Sequence, residues 1–411
     1  MPVESVISAL PLTSIGIILM LAIGLSILVR KLNLNPVLGF ILAGFLLGPF
    51  ALNFLRPDDP LVIGFGEMGL FILLFYLGLE LSLKEFLEAG SATLGLALID
   101  MAGLAGLGFI VMVLLGNSFL FSVVIGFMLF CTSTAIVAKF AIDHGILKNP
   151  PVQLAVSILI LQDFLGILLL VLATSFSSPG SSPLTLAFTS LVFAVSAFFV
   201  VYTLSKKIEN WLEKQGFGHT EITLYAIGVG LVVATLGSVL GLSTALGAYF
   251  TGFALNATKA GDRIKKDVNF LRDFFLVFFF VAFGTTIFFD KAAGGIVFPD
   301  IQTLIFLVLL CLGLSLGIII INMFVFAVFG PLFGLSRQDS STTAILLVPL
   351  GEFVVIIATT TAVLFQGTES SLLSPIAFML IAMTVIVFQP LYNFVDLHRK
   401  IVSFLPNFFK L

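Results

Sequence analysis

The chain has 411 residues, 59% of them hydrophobic and 10% charged, with a net charge of −3 and a mean hydropathy of +1.21. A soluble domain carries about a quarter charged residues, so a water-soluble enzyme, a nucleic-acid binder and a disordered chain are excluded. Two cysteines, Cys131 and Cys311, each inside an apolar run, exclude a disulfide framework or a CxxC metal site.

A membrane helix needs about 20 apolar residues to cross the hydrocarbon. Met1 to Ser8 hold no basic residue, so the first run, Leu10–Arg30, reads as a retained span and not as a secretory signal. The next are Pro36–Pro49, Leu61–Leu81, Gly90–Leu115, Phe119–Ile142 and Val152–Ser175. A linker helix, Pro183–Lys206, leads to Thr220–Val239, Gly241–Ala257, Val268–Phe289, Ile301–Phe329, Ser340–Leu364 and Leu372–Leu397. That makes thirteen predicted spans. Cytoplasmic loops collect Lys and Arg, and of the 19 basic residues only Arg56 and Lys291 fall after even-numbered spans. The bias predicts an outside N-terminus and a cytoplasmic C-terminus.

The apolar runs also repeat. Leu38-Gly39, Gly44-Phe45 and Leu47 recur 208 residues on as Leu246-Gly247, Gly252-Phe253 and Leu255. Thr132-Ser133-Thr134-Ala135-Ile136-Val137 is echoed 209 residues on by Ser341-Thr342-Thr343-Ala344-Ile345-Leu346. The offset steps over seven spans. An odd number sends the second copy through the membrane from the opposite side, the inverted repeat of secondary transporters. The repeats are expected at about 10–175 and 220–397.

Ser/Thr runs inside apolar spans are weak helix formers. Their hydroxyls can cover backbone groups freed where a helix unwinds. The two Ser/Thr segments are therefore expected to mark broken helices whose carbonyls and dipole ends face an ion. The alternative is that the hydroxyls bond carbonyls one turn back in unbroken helices.

Asp163 stands mid-span, and a bare carboxylate at the bilayer centre costs at least ~2.5–3.5 kcal/mol. Such a group faces a cavity or a partner, and it can trade a proton for a cation. Gln162 beside it is neutral, so a single acid predicts one proton per monovalent cation, an electroneutral exchange. Asp100 reads either as a helix-packing hydrogen bond or as part of a water cavity. Asn322 can bond another helix or an unwound backbone. Glu352, more than two turns beyond the second Ser/Thr segment, suits a funnel or gate.

Val37-Leu38-Gly39-Phe40 to Gly48-Pro49, Phe75-Tyr76-Leu77-Gly78-Leu79-Glu80-Leu81, Thr132 to Val137, Leu161-Gln162-Asp163, Gly241 to Ala248 and Gly351-Glu352-Phe353 resemble the monovalent cation:proton antiporter-2 family. The Gln-Asp pair is most similar to its Kef-type potassium/proton branch. The resemblance implies an all-α, NhaA-like fold whose fifth and twelfth helices are unwound and cross. It implies K⁺ (or Na⁺) at Asp163, flanked by Gln162, Thr132, Ser133 and Thr134. From the residues themselves, Ser341, Thr342, Thr343, Asn322, Glu352 and Asp100 are expected as supporting core. The resemblance also implies a homodimer, elevator-like access and no cofactor beyond the transported ions. Many members carry a Lys where this chain has Asn322. Kef-type members continue into a cytoplasmic nucleotide-binding domain. Here the whole of 1–411 is expected to be one membrane domain, with any regulatory domain a separate partner or truncated away. The expectation is a K⁺/H⁺ antiporter of a bacterial cell membrane. An Na⁺/H⁺ antiporter of the same fold is its nearest rival and a cation channel its rival from another class.

Overall fold

The computed structural model describes residues 11–31, 34–80, 90–146, 148–175, 183–215, 218–239, 244–290, 295–296, 299–365 and 367–404. The first half contains α1 (Pro11–Lys31), α2 (Pro36–Leu47), α3 (Pro60–Glu80), α4 (Gly90–Leu114), α5 (Phe119–Leu129), α6 (Thr134–Asp143) and α7 (Pro150–Ser175). After α8 (Pro183–Lys214) come α9 (His219–Val239), α10 (Thr244–Asn256), α11 (Gly261–Thr285), α12 (Ile301–Phe329), α13 (Arg337–Leu346), α14 (Glu352–Thr361) and α15 (Thr368–Phe404). A two-residue ribbon, β1 (Phe289–Asp290) with β2 (Gly295–Ile296), interrupts the helices between α11 and α12.

Every predicted apolar run overlays a helix or a pair of half-helices. Among the described residues, seven helices are long and apolar enough to cross a bilayer. Local chemistry sets their ends. Pro11, Pro36, Pro60, Pro150 and Pro183 open helices at the position where a missing N–H is harmless. Asn35, Ser118, Asp300 and Ser336 accept backbone N–H bonds as N-caps of α2, α5, α12 and α13. The linker helix α8 runs eight residues past its predicted end at Lys206, to Lys214.

The chain divides into two compact units. The first comprises Met1–Glu85, Ile167–Val297 and Thr360–Ser371. Ile18, Ala22, Ala43, Val277 and Val281 form one of its cores. Here the 208-residue repeat is visible as packing. A methyl group on Gly44 of α2 would collide with the Val281 carbonyl of α11, and one on Gly284 with the Ile41 carbonyl. The related crossing brings Gly252 of α10 onto the Phe75 carbonyl of α3, and Gly78 onto the Tyr249 carbonyl. Each copy's second helix thus crosses the other copy's third at paired glycines.

The second unit comprises Phe86–Gly166, Phe298–Thr359 and Leu372–Leu411. Leu96, Val137, Ile158, Phe326, Ile345 and Phe388 belong to its buried core. Its equivalent elements lie 218 residues apart: cap Ser118 and cap Ser336, Thr134 and Glu352 opening α6 and α14, Pro150 and Thr368 opening α7 and α15.

That register corrects one expectation. Ser341, Thr342 and Thr343 lie inside the unbroken helix α13 and do not mark a break. Their hydroxyls bond the carbonyls of Arg337, Gln338 and Asp339, one turn back. The second break falls at Leu347–Gly351, so Thr132-Ser133-Thr134 correspond to Leu350-Gly351-Glu352. Glu352 accordingly opens the half-helix directly after the break instead of lying two turns beyond it.

Candidate functional site

The site is built in the second unit from the two breaks. α5 ends at Leu129, the chain runs irregularly through Phe130–Ser133, and α6 begins at Thr134. α13 ends at Leu346, and α14 begins at Glu352 after a stretch holding Pro349 and Gly351. Proline has no N–H and disfavours helical geometry in the residue before it, so Val348-Pro349 ends the helix locally.

The breaks pair as a one-bridge antiparallel ladder, with Thr132 opposite Leu350. Ser133 N donates to the Pro349 carbonyl at 2.8 Å, and Gly351 N donates to the Cys131 carbonyl at 2.9 Å. An unsatisfied backbone group in hydrocarbon costs several kcal/mol, so each break supplies what the other has lost. Side chains complete the crossing. Thr132 Oγ1 and Asn322 Nδ2 both donate to the Leu347 carbonyl at 3.0 Å. Leu350 N donates to Thr384 Oγ1 at 3.1 Å. Gly351 is required by contact, because a Cβ there would lie 2.7 Å from Ser133 Cα.

The positive end of half-helix α6 faces an acid. Ser133 caps it, accepting from Ile136 N at 3.3 Å. Thr134 donates its hydroxyl to Asp163 Oδ2 on α7 at 2.9 Å, and both side chains are half-buried. A carboxylate at a helix N-terminus is stabilised by the dipole. Gln162 turns to a different partner: its Nε2 donates to Asp100 Oδ2 on α4 at 3.1 Å, with both residues buried. The position 218 residues beyond Asp163 is Ile381, so the second half has no acid there. Its own carboxylate is Glu352, in the first turn of α14.

The structure thus brings Thr132, Ser133, Thr134, Asp163, Asn322 and Glu352 to the two breaks and their half-helix ends, joins Gln162 to Asp100, and leaves Ser341–Thr343 within a helix. Sequence reading did not single out Thr384, Gly351 as a contact residue, or the carbonyls of Cys131, Leu347 and Pro349. The proline-glycine spacing of Pro349-Leu350-Gly351 was the available signal for the break. The Asp163 carboxylate and the Thr134 hydroxyl are hard oxygen groups of the kind an alkali cation takes as ligands.

Two crossed, broken helices with a carboxylate at a half-helix end define a membrane transporter, an integral multi-pass protein. The family described as "Sodium/hydrogen exchanger, transmembrane" matches residues 16–393, and the chain belongs to it. The Escherichia coli (strain K12) protein YbaL is 30% identical over 83% of this chain, which spans 61% of YbaL's length. The K⁺/H⁺ antiporter subunit KhtU of Bacillus subtilis (strain 168) is 28% identical over 84% of this chain and 84% of its own. The sodium proton antiporter MjNhaP1 of Methanocaldococcus jannaschii shares the fold, with a TM-score of 0.66 at 18% identity over 96% of this chain and 99% of its own. The resemblance carried by the motifs therefore holds at the level of family and fold.

Proposed function

We propose that this chain exchanges K⁺ for H⁺ at Asp163, one for one, in a bacterial cell membrane. The observation that carries the reading is the contact of Thr134 Oγ1 with Asp163 Oδ2 at the open end of α6. One half-buried carboxyl beside a hydroxyl and a helix N-terminus holds either a cation or a proton. The two compete because each neutralises the same charge. With the carboxylate ionised, Thr134 donates to it, and hydroxyl and carbonyl oxygens replace part of the cation's hydration shell. With the carboxyl protonated, the cation loses its counter-charge and leaves. A single exchanging acid moves one charge each way, so the cycle is electroneutral. The ends lie on opposite faces, N-terminus outside, and a homodimer works by elevator-like alternating access.

The relative KhtU, a K⁺/H⁺ antiporter subunit, supports K⁺ as the cation. Na⁺ is the second reading, favoured by the fold shared with a sodium proton antiporter. Proteoliposomes with an internal pH dye test both. Wild type is expected to exchange protons for K⁺ at lower concentration than for Na⁺, and Asp163→Asn is expected to exchange neither. Wild-type rates in Asp163→Asn would exclude the mechanism. Cation flux driven by voltage without proton counter-movement would point to a channel.

A further inference from the structure

Asp100 and Gln162 form a buried pair, 0% and 2% exposed. Their bond at 3.1 Å ties α4 to α7 across 62 residues of sequence. The other lobe of each group, Asp100 Oδ1 and Gln162 Oε1, is buried without a hydrogen-bond partner among the described residues. α5 and α12, which pack on α4, carry no charged side chain. A buried carboxyl in such surroundings is a liability unless its one bond has a use, since an apolar pair of the same shape would be as stable or more so.

The use follows from helix geometry. Neighbours on a helix point about 100° apart, so an anchor on Gln162 fixes the rotation of α7 and with it the direction of Asp163. Precision matters there, because a 1 Å misplacement at a reacting group can cost about a hundredfold in rate. We propose that Asp100 is a positioning residue: through Gln162 it sets the rotation of α7 that aims the Asp163 carboxyl at Thr134. The inference rests on the reading of Asp163 as the exchange site.

The test uses the full chain in proteoliposomes and follows the half-saturating K⁺ concentration, the maximal rate and the melting temperature. Asp100→Leu and Gln162→Leu are each expected to raise half-saturating K⁺ about tenfold, with a lower melting temperature because each leaves a buried polar partner unpaired. The double variant is expected to be no worse than either single one, because both remove the same tie. Asp100→Asn, whose amide oxygen still accepts from Gln162, is expected to restore half-saturation to within about twofold. Three results would each overturn the positioning role: wild-type half-saturation in both Leu variants, additive losses in the double variant, or Asp100→Asn as impaired as Asp100→Leu. A wild-type chain that exchanges no cation overturns this role and the proposed function together. Normal wild-type exchange, lost in Asp163→Asn and untouched in Asp100→Leu, overturns the positioning role alone.

Discussion

The two breaks use one backbone device and carry different chemistry. The bond from Ser133 N to the Pro349 carbonyl and the bond from Gly351 N to the Cys131 carbonyl are the same bond in the two copies of the repeat, 218 residues apart. Around that shared core the side chains diverge. The first break has no proline or glycine, and its half-helix meets an acid from another helix, Asp163. The second has Pro349 and Gly351, and its half-helix carries its own acid, Glu352. The duplicated scaffold keeps the backbone satisfied in lipid, while the first copy places a carboxyl, Asp163, where the second has Ile381. Symmetry supplies the crossing and asymmetry supplies the site.

The sharpest way to break the comparison is at the point where the copies touch. Ser133 and Gly351 are equivalent positions that face each other, and a Cβ on Gly351 would sit 2.8 Å from Ser133 Cβ. A side chain on Gly351 would press on both the backbone and the side chain of Ser133. Gly351→Val is expected to destabilise the protein by about 3 kcal/mol through overpacking, seen as a lower melting temperature in detergent. Gly351→Ala should cost less, and adding Ser133→Gly should recover part of the loss, since a glycine N-cap costs only a few tenths of a kcal/mol. Additive losses in the double variant would mean that the two positions do not share one space.

A second test separates the braces. The Leu347 carbonyl accepts from Thr132, in the first break, and from Asn322, on α12. Thr132→Val and Asn322→Leu each leave the carbonyl one donor. Together they leave it none, and a buried acceptor without a partner costs about 1–3 kcal/mol. The double variant is expected to lose more melting temperature than the two single losses added together. A merely additive result would show that the carbonyl finds another donor.

The third test sharpens the functional difference. Thr134→Val removes the hydroxyl that meets Asp163 and should raise half-saturating K⁺ about tenfold, the equivalent of ~1.4 kcal/mol of a charge-assisted bond. Glu352→Gln, at the equivalent position of the second break, should leave half-saturation within about threefold, because no carboxyl faces it from Ile381. An equal loss in both variants would make the two half-helix ends functionally alike.

Much of this was legible before the structure. Hydrophobic runs located the helices because lipid demands length and apolarity of each one. Asp163 stood out because a mid-span carboxyl needs a reason. The 208-residue offset was readable because glycines at Gly44 and Gly252 mark backbone contacts that tolerate no side chain. In the second unit the offset grows to 218, because the segments before and after α12 are longer than those flanking α4, and α12 has 29 residues where α4 has 25. Such insertions leave no mark in residue type. Ser341-Thr342-Thr343 resembled Thr132-Ser133-Thr134 in composition alone, whereas Pro349 and Gly351 marked the break by backbone chemistry. The ties from Asp100 to Gln162 and from Leu350 to Thr384 join distant segments, and no local pattern announces them.

The smallest expected effect follows from that misplaced register. Ser341 bonds the Arg337 carbonyl at 3.1 Å, a carbonyl one turn back in the same helix. A hydroxyl used in this way is close to neutral for helix stability, and alanine is the better helix former. Ser341→Ala is therefore expected to change stability by no more than about 0.5 kcal/mol and to leave half-saturating K⁺ unchanged. Ser133→Ala at the first break is the contrasting variant: it removes the cap of α6 and should cost about 1 kcal/mol. Were Ser341→Ala to lower melting as much as Ser133→Ala, the 209-residue register would describe the second copy better than the 218-residue one, and the placement of its break would have to move back into α13.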